Sequence, residues 1–142
     1  MANNYSLVQP YVFFEGRCEE AIEFYKRALG AEVGMLMRFK DCPEPPPGMA
    51  PGSEDKVMHA HVTIGQNVVL MSDGRCSGNP GFAGFSLSVT LPNEAEIDRQ
   101  FKALSEGGKV MMPLSKTFFA KRFGMLQDKF GVGWMMIVRP ES

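Results

Sequence analysis

Apolar and polar residues in the first half of the chain follow a pattern that predicts one helix and four strands. A short strand at residues 11–14 is followed by a segment at residues 18–29 whose apolar side chains recur at helical spacing. Gly30 then supplies a helix stop. Residues 33–39, 57–64 and 68–71 are rich in β-forming side chains and too short for typical helices. The predicted order is therefore β-α-β-β-β.

The same order of patterns starts again after a loop at residues 72–81. Residues 85–91 alternate as a half-buried strand does, and a helix is predicted between Asn93, as N-cap, and the stop at Gly107 and Gly108. Further strand pieces are predicted at residues 110–112, 116–120, 124–127 and 134–138.

A shift of about 75 residues brings the first predicted helix onto the second, with Ile22 on Ile97 and Leu29 on Leu104, which indicates a duplicated module. We therefore expect an α+β fold made of paired βαβββ modules, residues 8–74 and 82–140, within a single domain of residues 1–142. One helix covers only one face of each module, so the modules are expected to form a cupped mixed sheet around a cavity. Residues 40–56 hold five prolines and few large apolar side chains, which predicts either a solvated connection or a lid over that cavity.

Charge and cysteine content narrow the class of protein. The chain has 15 Lys and Arg against 16 Asp and Glu among its 142 residues, so no net basic field favours nucleic acid or a membrane surface as partner. Three cysteines without a C-x-x-C pair favour a reducing compartment. The first residues lack a secretory signal pattern, and no apolar run has the length of a membrane span. These observations predict a cytoplasmic location.

His59 and His61 are the sharpest polar feature of the sequence. The chain has no G-x-S-x-G motif, and no Walker A or G-x-G-x-x-G motif between a strand and a helix, which argues against hydrolase and nucleotide chemistry. Two residues apart on one strand, the two histidines share a face, which is predicted to look into the cup. A metal site usually needs three or four ligands, and no third is evident. The alternatives are imidazoles that hydrogen-bond a ligand and a simple polar wall. Asp73 and Glu15 lie at strand ends and could contribute a carboxylate, but solvated loop positions are preferred for both.

Two further patterns have a functional and a structural interpretation. Residues 116–123 interleave aromatic with cationic side chains, which suits either an anionic molecule or a stacked base, or else an amphipathic strand with its phenylalanines in the core. Adjacent methionines at positions 111 and 112, and again at 135 and 136, indicate an adaptable core or an adaptable pocket lining. The structural interpretation is preferred for both.

Four segments resemble a known family. Residues 10–25, 58–62, 70–73 and 128–134 are similar to the PhnB-like group of the vicinal oxygen chelate superfamily, which includes glyoxalase I, bleomycin-resistance proteins, fosfomycin-resistance enzymes and extradiol dioxygenases. The segments occur in the expected order and span nearly the whole chain. The resemblance implies paired βαβββ modules, a homodimer, and a metal held in the cup by the first and fourth strands of each half.

The chain departs from the superfamily at the implied metal positions. Gln9 takes the first ligand position, with Tyr11 and Phe13 also toward the cup, and the other three positions fall on Leu70, Gly84 and Met135. A divalent ion with one neutral amide and no carboxylate would be held too weakly. We therefore expect no metal and no cofactor, although the histidines leave a rearranged metal site as an alternative.

Two hypotheses about function follow. The first is a protein that binds a small molecule in the cup, and the second is an enzyme, either a metal-dependent lyase, transferase or dioxygenase using His59 and His61, or a metal-free enzyme with an imidazole as general base. The missing ligands favour the first. The residues expected to line the cavity are Gln9, Tyr11, Phe13, His59, His61, Leu70, Ser72, Ser86 and Met135.

Overall fold

The computed structural model describes residues 6–44, 49 and 51–140. The chain divides into two compact units, the first comprising Met1–Lys26 and Gly30–Asn79, the second Arg27–Leu29 and Pro80–Ser142. Each unit contains one four-stranded mixed sheet.

The first unit holds four strands and most of one helix. Its elements are β1 (Tyr11–Phe13), α1 (Cys18–Leu29), β2 (Glu32–Arg38), β3 (Val57–Ile64) and β4 (Asn67–Ser72), with a short 3-10 turn at Phe39–Asp41. The strand order is β1-β4-β3-β2, in which β1 runs parallel to β4 and the other pairs are antiparallel. α1 ends at Gly30, whose φ of 69° lies in the left-handed region that glycine adopts without strain.

The two faces of this sheet differ in burial because side chains alternate along each strand. The residues of the buried face are at most 7% exposed, namely Val12, Ala60, Val62, Val69 and Met71. Tyr11 and Phe13 on the other face are 39% and 45% exposed. We call this second side the open face of the first sheet.

The second unit repeats the order of elements. It contains β5 (Leu87–Thr90), α2 (Glu94–Ser105), β6 (Lys109–Ser115), β7 (Arg122–Gln127) and β8 (Gly133–Val138), with strand order β5-β8-β7-β6. The Asn93 side chain caps α2 by accepting a hydrogen bond of 2.8 Å from the Glu96 N–H. α2 packs closely on β7, since a Cβ at Gly124 would lie 2.8 Å from the Phe101 ring.

The predicted fold class is confirmed, with both helices and most strands close to their expected bounds. The strand predicted at residues 116–120 is wrong. Thr117 N–H donates to the Ala120 carbonyl and the Thr117 hydroxyl accepts from Phe119 N–H, so the chain turns there between β6 and β7. Phe118 is fully exposed in this turn instead of lying in the core.

The loop that follows β2 is paired at its two ends. Phe39 N–H donates to the Lys56 carbonyl and Lys40 N–H to the Glu54 carbonyl, at 3.1 and 3.0 Å. Positions 45–48 and 50 lie outside the described residues, so the choice between connection and lid stays a prediction, as does the single domain. Among the described residues, neither helix has the length and apolar character needed to cross a membrane.

Candidate functional site

The polar residues of interest lie on the open face of the first sheet. Strand register places Tyr11 beside Leu70, Leu70 beside His61, and His61 beside Met35. The neighbouring row contains Phe13 beside Ser72, and His59 beside Met37. The open face is thus built from all four strands, by Tyr11, Phe13, Met35, Met37, His59, His61, Leu70 and Ser72.

Three of these side chains form a hydrogen-bonded chain. The Tyr11 hydroxyl lies 2.6 Å from His59 Nδ1, and the Nε2 atoms of His59 and His61 are 3.0 Å apart. The two imidazoles meet because residues 59 and 61 share a face of β3. Tyr11 reaches His59 from β1 across the intervening strand β4. Both ring nitrogens of His59 are therefore occupied within the protein.

An aromatic platform lies beside this chain. The rings of Tyr11 and Phe13 stack with centroids 4.6 Å apart and planes 7° apart. His59 is tilted against Tyr11 and meets His61 edge to face, with centroids 5.4 and 4.9 Å apart. The half-exposed ring surface can accept a flat apolar body, since aromatic faces favour stacked or edge-on partners.

Burial sets the charge state of the site. Desolvation lowers the pKa of His59 from its usual 6.5, and repulsion from His61 lowers that pKa further. Burial raises the pKa of Tyr11, although a hydrogen bond with Ser72 opposes the rise. His59 is therefore neutral and Tyr11 is a phenol at neutral pH, so their contact is a hydrogen bond between uncharged groups.

Asp73 fixes the strands that carry the site. Its carboxylate is 1% exposed and accepts three backbone N–H groups, from Gly16 at 2.8 Å, Cys18 at 2.7 Å and Val57 at 2.9 Å. These bonds join the end of β4 to the start of α1 and the start of β3. The preferred expectation that Asp73 is a solvated loop residue is wrong, because three inward-pointing amides require a buried acceptor.

Glu15 stands beside the platform in a strained backbone conformation. Its φ of 52° is uncommon for a residue with a side chain, and its carboxylate accepts the Ser77 N–H at 3.0 Å. A Cβ at Gly74 would overlap this carboxylate and lie 3.3 Å from the Phe13 ring. Gly74 therefore leaves the space into which the Glu15 side chain folds.

The structure brings together six of the nine expected lining residues, namely Tyr11, Phe13, His59, His61, Leu70 and Ser72. Gln9 precedes β1 and is half-buried. Ser86 and Met135 belong to the second unit, where Ser86 Oγ would lie 3.0 Å from a Cβ at Gly133. β5 begins at Leu87, so Ser86 and Gly84 lie before the strand, and the residue in register with Met135 is Ser88. The sequence analysis placed an implied metal position of the fifth strand at Gly84, and this assignment is corrected to Ser88.

Met35 and Met37 were missed by the sequence analysis. Both lie in register with the histidines, and Met35 is 39% exposed. Alternation along β2 is the signal that could have found them, but register shifts on both sides of the pair interrupt it.

The donor set does not fit the metal that the superfamily resemblance implies. The first position was expected at Gln9, but Gln9 lies before β1 and the residue in register with Leu70 is Tyr11. The four strand positions therefore carry Tyr11, Leu70, Ser88 and Met135, none of which is a carboxylate or an imidazole. Among the described residues, no group of three or more His, Cys, Asp or Glu side chains is placed to hold a metal ion. Two imidazoles alone fall short of the usual ligand count.

Comparisons with known proteins agree with the architecture. A family described as 3-demethylubiquinone-9 3-methyltransferase matches residues 6–137. The protein YjdN of Escherichia coli is 36% identical over 139 residues, covering 92% of this chain and 94% of YjdN. The structure of the PhnB protein from Bacillus cereus has 32% identity and a TM-score of 0.76, covering 94% of this chain and 99% of that one.

A more distant structure supports the fold alone. It is a glyoxylase/bleomycin resistance protein/dioxygenase domain from Frankia, with a TM-score of 0.61 at 14% identity, and it covers 100% of this chain and 96% of that domain. With a family match over most of the chain and a relative above 30% identity, the chain belongs to the PhnB-like 3-demethylubiquinone-9 3-methyltransferase family.

Proposed function

We propose that this protein binds a small, largely apolar organic molecule on the open face of its first sheet. The observation that carries the proposal is the chain from Tyr11 through His59 to His61, set in a half-exposed surface of aromatic and methionine side chains. Binding sites commonly combine an apolar lining with a few polar groups that fix orientation.

The lining suits ligands of variable shape. Met35, Met37 and Leu70 offer flexible apolar contacts, and methionine in particular adapts to irregular surfaces. The stacked pair of Tyr11 and Phe13 offers a rigid, flat contact. A molecule with one planar ring and one hydrogen-bonding group would use both parts of this surface.

Recognition is preferred over methyl transfer as the proposed activity. The family description names a methyltransferase. This chain has no glycine-rich loop between a strand and a helix of the kind that binds nucleotide cofactors. The first unit supplies ring surface and hydrogen bonds, which are the requirements of a binding site.

A reducing, cytoplasmic location remains part of the proposal. All three cysteines are free thiols, and Cys18 is fully buried. Desolvation raises the pKa of Cys18, which keeps that thiol protonated and unreactive.

The test is an NMR titration of the full chain with benzamide as a neutral aromatic probe. Amide signals of β1 and β3 should shift, and His59→Ala/His61→Ala should weaken binding at least tenfold while the far-UV spectrum is unchanged. Met125→Ala is the matched control, because Met125 holds on β7 the register position that His61 holds on β3, and it should bind benzamide as the wild type does. Shifts confined to other strands, or unchanged binding by the double variant, would contradict the proposal.

A further inference from the structure

The hydrogen-bonded chain of the open face has one free end. Ser72 on β4 is bonded elsewhere, since its hydroxyl accepts from Gly74 N–H at 2.9 Å and donates to the Val57 carbonyl at 3.5 Å. The hydrogen-bonded chain runs from the Tyr11 hydroxyl to His59 Nδ1 and from His59 Nε2 to His61 Nε2. Among the described residues, His61 Nδ1 has no hydrogen-bond partner, so this atom is where a ligand can join the chain.

The direction of these hydrogen bonds decides whether the free atom, His61 Nδ1, is a donor or an acceptor. Two neutral imidazoles hold two N–H groups on four ring nitrogens, and one N–H is used between the two Nε2 atoms. If Tyr11 donates to His59, then His59 donates to His61 and the free Nδ1 carries a proton. If the order is reversed, His59 Nδ1–H donates to the Tyr11 hydroxyl, His61 donates to His59, and the free Nδ1 of His61 is an acceptor. While both imidazoles are neutral, His61 Nδ1 can therefore be either a donor or an acceptor toward a ligand.

One added proton fits this geometry and a second does not. With three N–H groups on the pair, one proton still bridges the Nε2 atoms, His59 Nδ1–H donates to Tyr11, and His61 Nδ1–H points out of the chain. A fourth proton would place N–H groups on both Nε2 atoms, which are only 3.0 Å apart. The pair can thus become a singly charged cation whose outward atom is a donor.

Among the residues that the structure describes, no charged side chain on the open face serves as a counter-ion to that cation. The neighbouring groups are Met35 and Met37 from β2, Leu70 and Ser72 from β4, and Tyr11 and Phe13 from β1, all of them uncharged. Glu15 lies beyond Phe13 at the end of β1 and its carboxylate is bonded to Ser77 N–H. Burial and the second imidazole lower the pKa of His59 accordingly. A bound anion would supply the missing charge at the free end of the chain.

We propose that the ligand of the open face is an aromatic molecule carrying an oxyanion, and that its binding transfers one proton from solvent to the pair of His59 and His61. This inference rests on the proposed function and assigns its ligand class. The proton ends on the imidazole pair, the oxyanion accepts from His61 Nδ1–H, and the aromatic body packs on Tyr11 and Phe13. The new N–H bond replaces the bond that held this proton to hydronium or to a protonated buffer molecule, and no other covalent bond changes.

The experiment is calorimetric titration of the full chain with benzoate between pH 6 and 8, in two buffers of different ionisation enthalpy. Benzamide is the probe without charge and acetate is the probe without a ring. Benzoate affinity should fall about tenfold per pH unit above the pKa of the free pair, with close to one proton taken up per molecule bound. Benzamide affinity should not change with pH, and acetate should bind more weakly than benzoate.

Two variants locate the proton. His61→Ala should abolish proton uptake, and Tyr11→Phe, which keeps the ring but removes the acceptor of His59 Nδ1–H, should lower the pH at which benzoate binding is lost. Met125→Ala should leave both properties unchanged. If benzamide binds the open face and benzoate binds without proton uptake, this inference is overturned and the proposed function stands. If neither benzamide nor benzoate binds there, both are overturned.

Discussion

The two sheets have the same pairing scheme but carry different chemistry. Tyr11 pairs with Leu70 as Ser88 pairs with Met135, and Ala60 pairs with Met71 as Gly124 pairs with Met136. Counting along β3 and β7 from these matched pairs places Phe123 and Met125 where the first unit has His59 and His61. Met112 takes the place of Met35. The second sheet therefore has thioether and phenyl groups where the first has two imidazoles.

The difference shows which positions the duplicated fold constrains. On the buried faces, Met71 and Met136 are both fully buried apolar side chains at matched positions. Backbone pairing and burial persist because each sheet needs one apolar side. The opposite faces are free to differ: the first carries the hydrogen-bonded chain from Tyr11 to His61, whereas the matched positions of the second hold Phe123 and Met125. We expect ligand recognition to belong to the first unit.

The largest expected effect comes from a feature that both units share, a buried aspartate with three donors. Asp128 is 2% exposed and accepts from Phe130 N–H, Val132 N–H and Trp134 Nε1–H. Asp73→Ala and Asp128→Ala should each lower the free energy of unfolding by about 3 to 5 kcal/mol, since each leaves three buried N–H groups without an acceptor. Urea unfolding measures this loss. Values below about 1 kcal/mol for either variant would show that its carboxylate is dispensable.

Replacing the two histidines by the residues at the matched positions of the second sheet tests whether ligand binding belongs to the first unit. His59→Phe/His61→Met should fold, with a free energy of unfolding within about 1 kcal/mol of the wild type, because both positions are half-buried and tolerate apolar side chains. Benzamide and benzoate binding should be lost. A variant that fails to fold would show instead that the pair is structural.

The edge strands allow a test of the homodimer implied by the family resemblance, which stays a prediction. Edge strand β6 exposes Val110, Met111 and Met112 by 44%, 57% and 43%, whereas Val33 on edge strand β2 is 36% exposed. If a second copy covers β6, light scattering should give twice the chain mass of 15.7 kDa, and Met111→Lys should shift the mass toward one copy. Val33→Lys, on edge strand β2 of the first sheet, is the control and should leave the mass unchanged. A mass near 15.7 kDa for the wild type at micromolar concentration would exclude the dimer.

The smallest expected effect is a pH dependence of stability that belongs to the first unit. Both histidines of the chain lie there, and the pKa of His59 is lowered on folding. Below about pH 6.5 the unfolded chain takes up a proton more readily than the folded one, so His59 should stabilise the fold above that pH and lose this contribution as the pH falls. Thermal unfolding between pH 5 and 8 should show this slope in the wild type. The same slope in His59→Phe/His61→Met would contradict it.

Local structure was largely predictable because it depends on short-range patterns. The apolar spacing of α1, the Asn93 cap, the Gly30 stop and the alternation along β3 all correspond to observed elements. The failures lie where local signals compete. Phe118 and Phe119 suggested a strand, but the Thr117 hydroxyl closes a turn instead.

The sequence by itself determined the repeated βαβββ order and placed His59 and His61 on one face of a strand, because periods of 3.6 and 2 residues are properties of the backbone. Only the tertiary structure decided that β1 pairs in parallel with β4, which brings Tyr11 within 2.6 Å of His59 across 48 residues. It also decided that Asp73 is a buried anchor rather than a surface carboxylate. Both outcomes depend on which segments meet in space, and a pairing across so many residues leaves no periodic signal in the chain.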